Sequence, residues 1–288
     1  MSSSLRDQFI DQMTFEGFSE CTKKSYVTAV KGLAKFYNLS PDLLTSDQVY
    51  FYFRHLITER KMNWSTCNNY LSGVIYFYKN ICQWEDVGRF GLPPRPYQKK
   101  LPVTLSIEEI QRLFAAVTNL KHRVLLKTTY SAGLRVSEVI SLMPHHIESD
   151  PSRMLIRVEQ GKGRKDRYTL LSEELLEELR LYWKKYHPQK WLFPGYGQDK
   201  HLSYAAARKV FMAAKKKANI TKPCCIHCLR HSFATHLLYQ GADLYTISHL
   251  LGHKSIDTTT IYLHITPERF VKLKSPLDRL ELEQGGDK

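Results

Sequence analysis

The chain has 288 residues, 43% hydrophobic and 12% aromatic, enough apolar material for one large or two modest packed cores, which excludes global disorder. Lys and Arg total 42 against 28 Asp and Glu, a formal charge of +14, and a surplus this large points to a polyanionic partner: nucleic acid first, an anionic membrane surface second. No apolar run approaches the roughly 20 residues of a spanning helix and the segment Met1–Asp7 lacks the make-up of a secretory leader, so the expectation is a cytoplasmic protein with no membrane partner.

In chain order, apolar residues recur at helical spacing over about 5–16, 20–37, 46–60 and 64–82, with Ser46 as a candidate N-cap of the third segment. Tyr50, Phe51, Tyr52 and Phe53, then Tyr70, Tyr76, Phe77 and Tyr78, read as the packing of a small helical bundle in preference to base-stacking platforms. Residues 1–90 are therefore expected to form a helical domain. Residues 91–102 hold Pro93, Pro94, Pro96 and Pro102 together with Lys99 and Lys100, a stiff basic linker.

A capping box at Ser106-Ile107-Glu108-Glu109 then starts a second domain. Helices are expected over about 106–118 and 121–132, with Gly133 suited to the position just past a helix end, and a short helix follows from Val136. Residues 154–158 and 167–171 read as two strands, with Gly161-Lys162-Gly163 in the turn between them. Helices resume at about 172–187, 203–218, 227–240, 243–251 and 256–264. The fold class is mainly α with one small β element.

The basic charge is uneven. Residues 1–100 carry about +4 and residues 101–288 about +10; His201–Arg230 holds seven Lys and Arg and no acid. Its cations Arg208, Lys209, Lys215, Lys216, Lys217 and Lys222, with Lys99, Lys100, Arg164, Lys165 and Arg167, are candidate phosphate-backbone contacts. The six cysteines are too few and scattered for a disulfide framework in a chain this long. Cys224, Cys225 and Cys228 crowd around His227, but a structural zinc site needs a distant second pair of ligands, and a metalloprotease helix needs Glu where position 228 has Cys. No metal is expected.

On a helix, His227, Arg230 and His231 share one face, where a guanidinium beside an imidazole can bind a phosphate. Further along are Gly133-Leu134-Arg135-Val136-Ser137-Glu138, Lys162 in its turn, Leu251-Gly252-His253, and Tyr262 nine residues beyond His253. Each segment alone is weak. In this order and spacing they closely resemble the tyrosine site-specific recombinases, the phage-type integrases and Xer-like enzymes, across nearly all of the second domain, with a looser likeness in the first. The resemblance implies a two-domain, C-shaped DNA clamp: an N-terminal helical (SAM-like) core-binding domain, a catalytic domain over 103–266, and a tail over 267–288 that docks on a neighbouring protomer or packs in cis.

The resemblance also implies a reaction: cleavage and rejoining of double-stranded DNA through a covalent 3′-phosphotyrosine, with no metal and no ATP. By it, Arg135 and Arg230 bind the phosphate, His227 does acid/base and phosphate-binding work, and His253 hydrogen-bonds the scissile phosphate. Lys162 protonates the leaving oxygen and Tyr262 is the nucleophile. Four protomers would assemble on two duplexes, identical or paired with a second recombinase. Glu138 is expected to orient Arg135, and His231, His236 and His264 to be structural. Two rivals remain, a DNA-binding protein of the same fold that no longer cuts and a monomeric type IB topoisomerase-like enzyme.

Overall fold

The computed structural model describes residues 3–85, 87, 91–94, 101–159 and 166–263. Lys99, Lys100, Lys162, Arg164, Lys165, His264 and the expected tail at 267–288 lie outside the described residues. The chain divides into two compact units between Lys99 and Lys100.

Among the described residues the first unit holds four α-helices: α1 (Ser3–Phe15), α2 (Glu20–Tyr37), α3 (Ser46–Thr58) and α4 (Trp64–Asn80). Each of the last three starts on a side-chain cap that satisfies an otherwise unpaired backbone N–H. Ser19 caps α2 and Asn63 caps α4. The cap of α3 is Thr45 and not Ser46: Thr45 and Gln48 close a reciprocal capping box, which makes Ser46 the first helical residue. Phe9, Met13, Leu33, Val74 and Phe77 are buried at the centre, and Phe9 packs edge-on against Phe77 at 5.2 Å. Tyr78 is buried and donates to the Pro41 carbonyl at 2.6 Å. Tyr52 and Phe53 are buried with it, whereas Tyr50 and Phe51 face solvent.

The second unit opens with α5 (Ile107–Ala115), whose capping box pairs Ser106 with Glu109. Next come α6 (Leu120–Ser131) and α7 (Val136–Ile140), then an antiparallel sheet in the order β1 (Ile147–Glu148), β2 (Leu155–Val158) and β3 (Arg167–Leu170). Leu155 pairs with Leu170, and Val158 with Arg167. After α8 (Glu173–Tyr186), β4 (Pro194–Gly195) and β5 (Gly197–His201) form a second small hairpin that the sequence did not signal. The described residues continue through α9 (Tyr204–Lys217), α10 (His227–Tyr239), α11 (Leu244–Leu251) and α12 (Asp257–Thr260). Of the expected helix at 256–264, the described part, up to 263, holds a single turn, through three consecutive Thr of modest helix propensity.

α10 runs through the middle of this unit. Ser232 accepts the Leu105 N–H at 2.8 Å, and Tyr130 on α6 pairs with His236 Nδ1 at 2.8 Å. Leu229 joins the larger core of α5–α9, while Phe233, Leu238, Ile247, Leu251 and Tyr262 form a second cluster. One helix thereby carries a phosphate-type face at the seam of two cores. Among the described residues no helix is long and apolar enough to cross a membrane.

Candidate active site

Glu138 is the hub of the site. It is buried at the start of α7, where its carboxylate accepts the Arg135 backbone N–H at 2.8 Å and Arg135 Nη1 at 2.7 Å. Arg167 reaches across from β3 with both terminal nitrogens, at 2.9 and 2.8 Å, and Arg230 Nη1 lies 3.7 Å away. Burial alone would raise the carboxyl's pKa; the hydrogen bonds and charges of Arg167 and Arg135 outweigh it and hold Glu138 at about 2. Three guanidiniums around one carboxylate leave an excess of two positive charges.

The end of α11 holds the same three arginines. A helix leaves its last carbonyls without intrahelical partners, and its C-terminus favours cations. Here Leu250 O accepts Arg167 Nε at 2.9 Å, Leu251 O accepts Arg230 Nη2 at 2.6 Å and Gly252 O accepts Arg135 Nη2 at 3.2 Å. The turn depends on Gly252. Its φ is +63°, and a Cβ there would stand 2.8 Å from Arg167 Cδ. Gly133 has the same role beyond α6: its φ is +59°, a Cβ would meet Phe233 at 2.3 Å, and its carbonyl accepts Arg230 Nη1 at 2.8 Å. Arg230 is 1% exposed. Burial and the charge of Arg135 lower its pKa to about 9, and it stays protonated at neutral pH.

Above these arginines is a cavity of about 330 Å³ lined by Arg135, His227, Arg230, His231, His253 and Tyr262. His253 follows the Gly252 turn and pairs through Nδ1 with Thr259 Oγ1 at 2.8 Å. Burial, Arg230 and Arg135 lower its pKa to about 4. His227 begins α10, and burial with the same two arginines lowers its pKa as well. Its ring meets His231 edge-on at 4.8 Å. Tyr262 is 1% exposed in the Phe233–Leu251 cluster, with its hydroxyl 3.0 Å from His231 Nδ1. Burial raises the phenol to about 12 against the pull of Arg230 and Arg135.

Five of the six residues singled out as catalytic are described, and all five line this cavity. Two residues stand elsewhere than their expected roles suggest. Arg167, expected as a backbone contact for DNA, is 8% exposed and spends its guanidinium on Glu138 and Leu250 O. The alternation of β3, with Arg167 and Thr169 inward and Tyr168 and Leu170 outward, is the sequence signal that would have placed it inside. His231, expected to be structural, lines the cavity and lies 3.0 Å from the tyrosine hydroxyl. Lys222 bonds Glu109 at 2.6 Å and the Thr104 carbonyl at 3.1 Å, anchoring the start of α5. Arg208, Lys209, Lys216 and Lys217 are exposed along α9, with Lys215 partly buried. His236 pairs with Tyr130, outside the cavity.

Fold and pocket define a class: a mainly helical phosphate-handling protein with guanidiniums massed beside a buried tyrosine. Residues 104–269 match the phage integrase family and residues 5–86 match the phage integrase N-terminal SAM-like domain. A Sinorhizobium fredii protein is 38% identical over 278 residues, spanning 96% of this chain and 89% of its own. The tyrosine recombinase XerD of Rhizobium meliloti is 30% identical over 295 residues, covering 93% of each chain. A lambda integrase dimer bound to a COC′ core site shares the fold at 18% identity, with a TM-score of 0.70 over 88% of this chain and 96% of that one. The chain belongs to the phage integrase family of tyrosine recombinases.

Proposed function

We propose that the protein cleaves and rejoins DNA at specific sites, with Tyr262 as the nucleophile that becomes joined to the 3′ phosphate. The observation that carries this reading is the convergence of Arg135, His227, Arg230, His253 and Tyr262 on one cavity. Attack on a phosphodiester places extra negative charge on the non-bridging oxygens. Two guanidiniums held rigidly by backbone carbonyls meet that charge without reorganising. His227 and His253 add ring nitrogens for the same oxygens, and Lys162, which follows β2 in the sequence, is the acid for the departing 5′ oxygen. Because the tyrosyl phosphate ester conserves the energy of the broken bond, resealing needs no nucleotide. Exchange between two duplexes takes four strand cuts, and we assign these to four protomers, either identical or paired with a second recombinase.

The test is covalent trapping. Wild type and Tyr262→Phe are mixed with fragmented, randomly nicked DNA of the source genome, so that the cleaved end diffuses away, and denatured adducts are recovered through the protein and sequenced. Wild type is expected to yield adducts at a discrete site and Tyr262→Phe none, with DNA binding retained. Adducts of equal yield with Tyr262→Phe would move the nucleophile elsewhere. Arg230→Ala is expected to lower adduct formation by several orders of magnitude.

A further inference from the structure

We propose that His231 Nδ1 is the base that takes the phenolic proton from Tyr262 as the tyrosine attacks phosphorus. The inference rests on the reading of Tyr262 as nucleophile. The contact is direct: Nδ1 lies 3.0 Å from the hydroxyl, and the two rings are 5.9 Å apart. Candidate bases must first satisfy geometry, within hydrogen-bond reach of the proton they remove. His231 does so from one turn along α10 from His227, a helix pinned at Arg230 by two carbonyls.

The protonation states agree. Burial, His227 and Arg230 lower His231 to about 4, and Tyr262 stands at about 12. At neutral pH the imidazole is therefore uncharged and the phenol donates to its bare Nδ1. In the resting site the proton stays on oxygen. A phosphodiester changes this balance. The titratable and charged groups around the pair are the imidazole of His227 and the guanidinium of Arg230 on the same helix, the imidazole of His253 beyond α11, and the guanidinium of Arg135 at the cap of α7. Burial is the main reason His231 stays neutral and the charge of Arg230 adds to it; an anion seated among these groups offsets that charge and so raises the affinity of His231 for a proton. Meanwhile the phenol oxygen loses its hold on hydrogen as it bonds to phosphorus.

The step balances. The Tyr262 O–H bond breaks and an N–H bond forms on Nδ1. The Oη–P bond forms as the P–O5′ bond breaks, and the leaving oxygen takes a proton from the general acid assigned to Lys162. In rejoining, His231 returns its proton to Tyr262.

The test compares wild type, His231→Asn, His231→Ala and Tyr262→Phe in the rate of adduct formation on randomly nicked genomic DNA, between pH 6 and 9. Asn places a hydrogen-bond acceptor near the position of Nδ1 but does not titrate. His231→Asn is expected to bind DNA and melt like wild type while forming adduct about 10²–10⁴-fold more slowly. Its rate should climb about tenfold per pH unit, where wild type levels off. Added imidazole should restore part of the activity of His231→Ala; if that variant is unfolded, the Asn variant alone decides. A rate within about threefold of wild type in His231→Asn, or an unchanged plateau, overturns the proposal and leaves the contact as a resting tether. Wild-type adducts that persist in Tyr262→Phe instead overturn the nucleophile reading, as would the lack of any wild-type adduct, and the base assignment falls with it.

Discussion

Replacing Glu138 by Gln removes the carboxylate charge that Arg135, Arg167 and Arg230 share while keeping the size of the side chain. The difference between an ordinary Glu at 4.5 and Glu138 at about 2 corresponds to about 3 kcal/mol in favour of the charged form. Because the folded pKa is the lower one, this stabilisation is present above about pH 4.5 and is lost as pH falls towards 2. The amide also has one oxygen where the carboxylate accepts four hydrogen bonds, and it turns N–H towards donors. At pH 7 Glu138→Gln should therefore lose about 3 kcal/mol or more, which for a unit of this size is roughly 6–12 °C in Tm. The assay is urea unfolding of both proteins at pH 7 and pH 3; urea is preferred because guanidinium chloride would screen the charges under test. The gap should narrow on acidification, since only wild type has this carboxyl to protonate. A gap below about 1 kcal/mol at pH 7, or one of equal size at both pH values, would refute the reasoning.

Gly252→Ala must hold φ at +63° and displace Arg167 from 2.8 Å; it should cost about 1–3 kcal/mol in thermal unfolding and slow adduct formation by shifting the carbonyl that holds Arg135. Arg167→Ala should lower the melting temperature yet leave the slope of log affinity against log salt unchanged, because Arg167 faces Glu138 and no phosphate. By contrast, Lys216→Ala and Lys217→Ala together should leave the melting temperature alone and make that slope shallower, as measured by fluorescence anisotropy. His231 and His253, lowered to about 4 from 6.5, contribute stability that is present above pH 6.5 and is lost as pH falls through 4. The urea midpoint of wild type should drop across that window more steeply than that of a His231→Asn/His253→Asn variant.

Much of this architecture was legible because local signals agree with tertiary ones. The helices of the first unit and α5, α6, α8 and α9 are marked by apolar spacing and by side-chain caps such as Ser106 and Ser203. The β4–β5 hairpin gave no such signal: its strands are two and five residues, and Gly-Gln-Asp-Lys-His has no apolar alternation. In the site, residue types at fixed spacing identified the cavity's lining, but not who touches whom. His227 and His231 sit one turn apart on the same face, so only the placement of Tyr262 by a different cluster decides which imidazole meets its hydroxyl. The burial of Arg167 was hidden for a related reason. Arg164, Lys165 and Arg167 look alike along the chain, whereas the inward side of a strand and a buried carboxylate separate the last from the others.

The carbonyls of Leu250, Leu251 and Gly252 give the site a particular tolerance to mutation. Side-chain partners can be erased by a single base change, but every amino acid brings a carbonyl. Anchored in this way, the three guanidiniums keep their acceptors whatever side chains drift along the outer face of α11, provided the helix still ends where it does. Sequence divergence among such proteins can therefore run high on that helix while its terminus stays constrained. A substitution that lengthens or unwinds α11 by one residue would misplace all three anchors together, without touching any arginine.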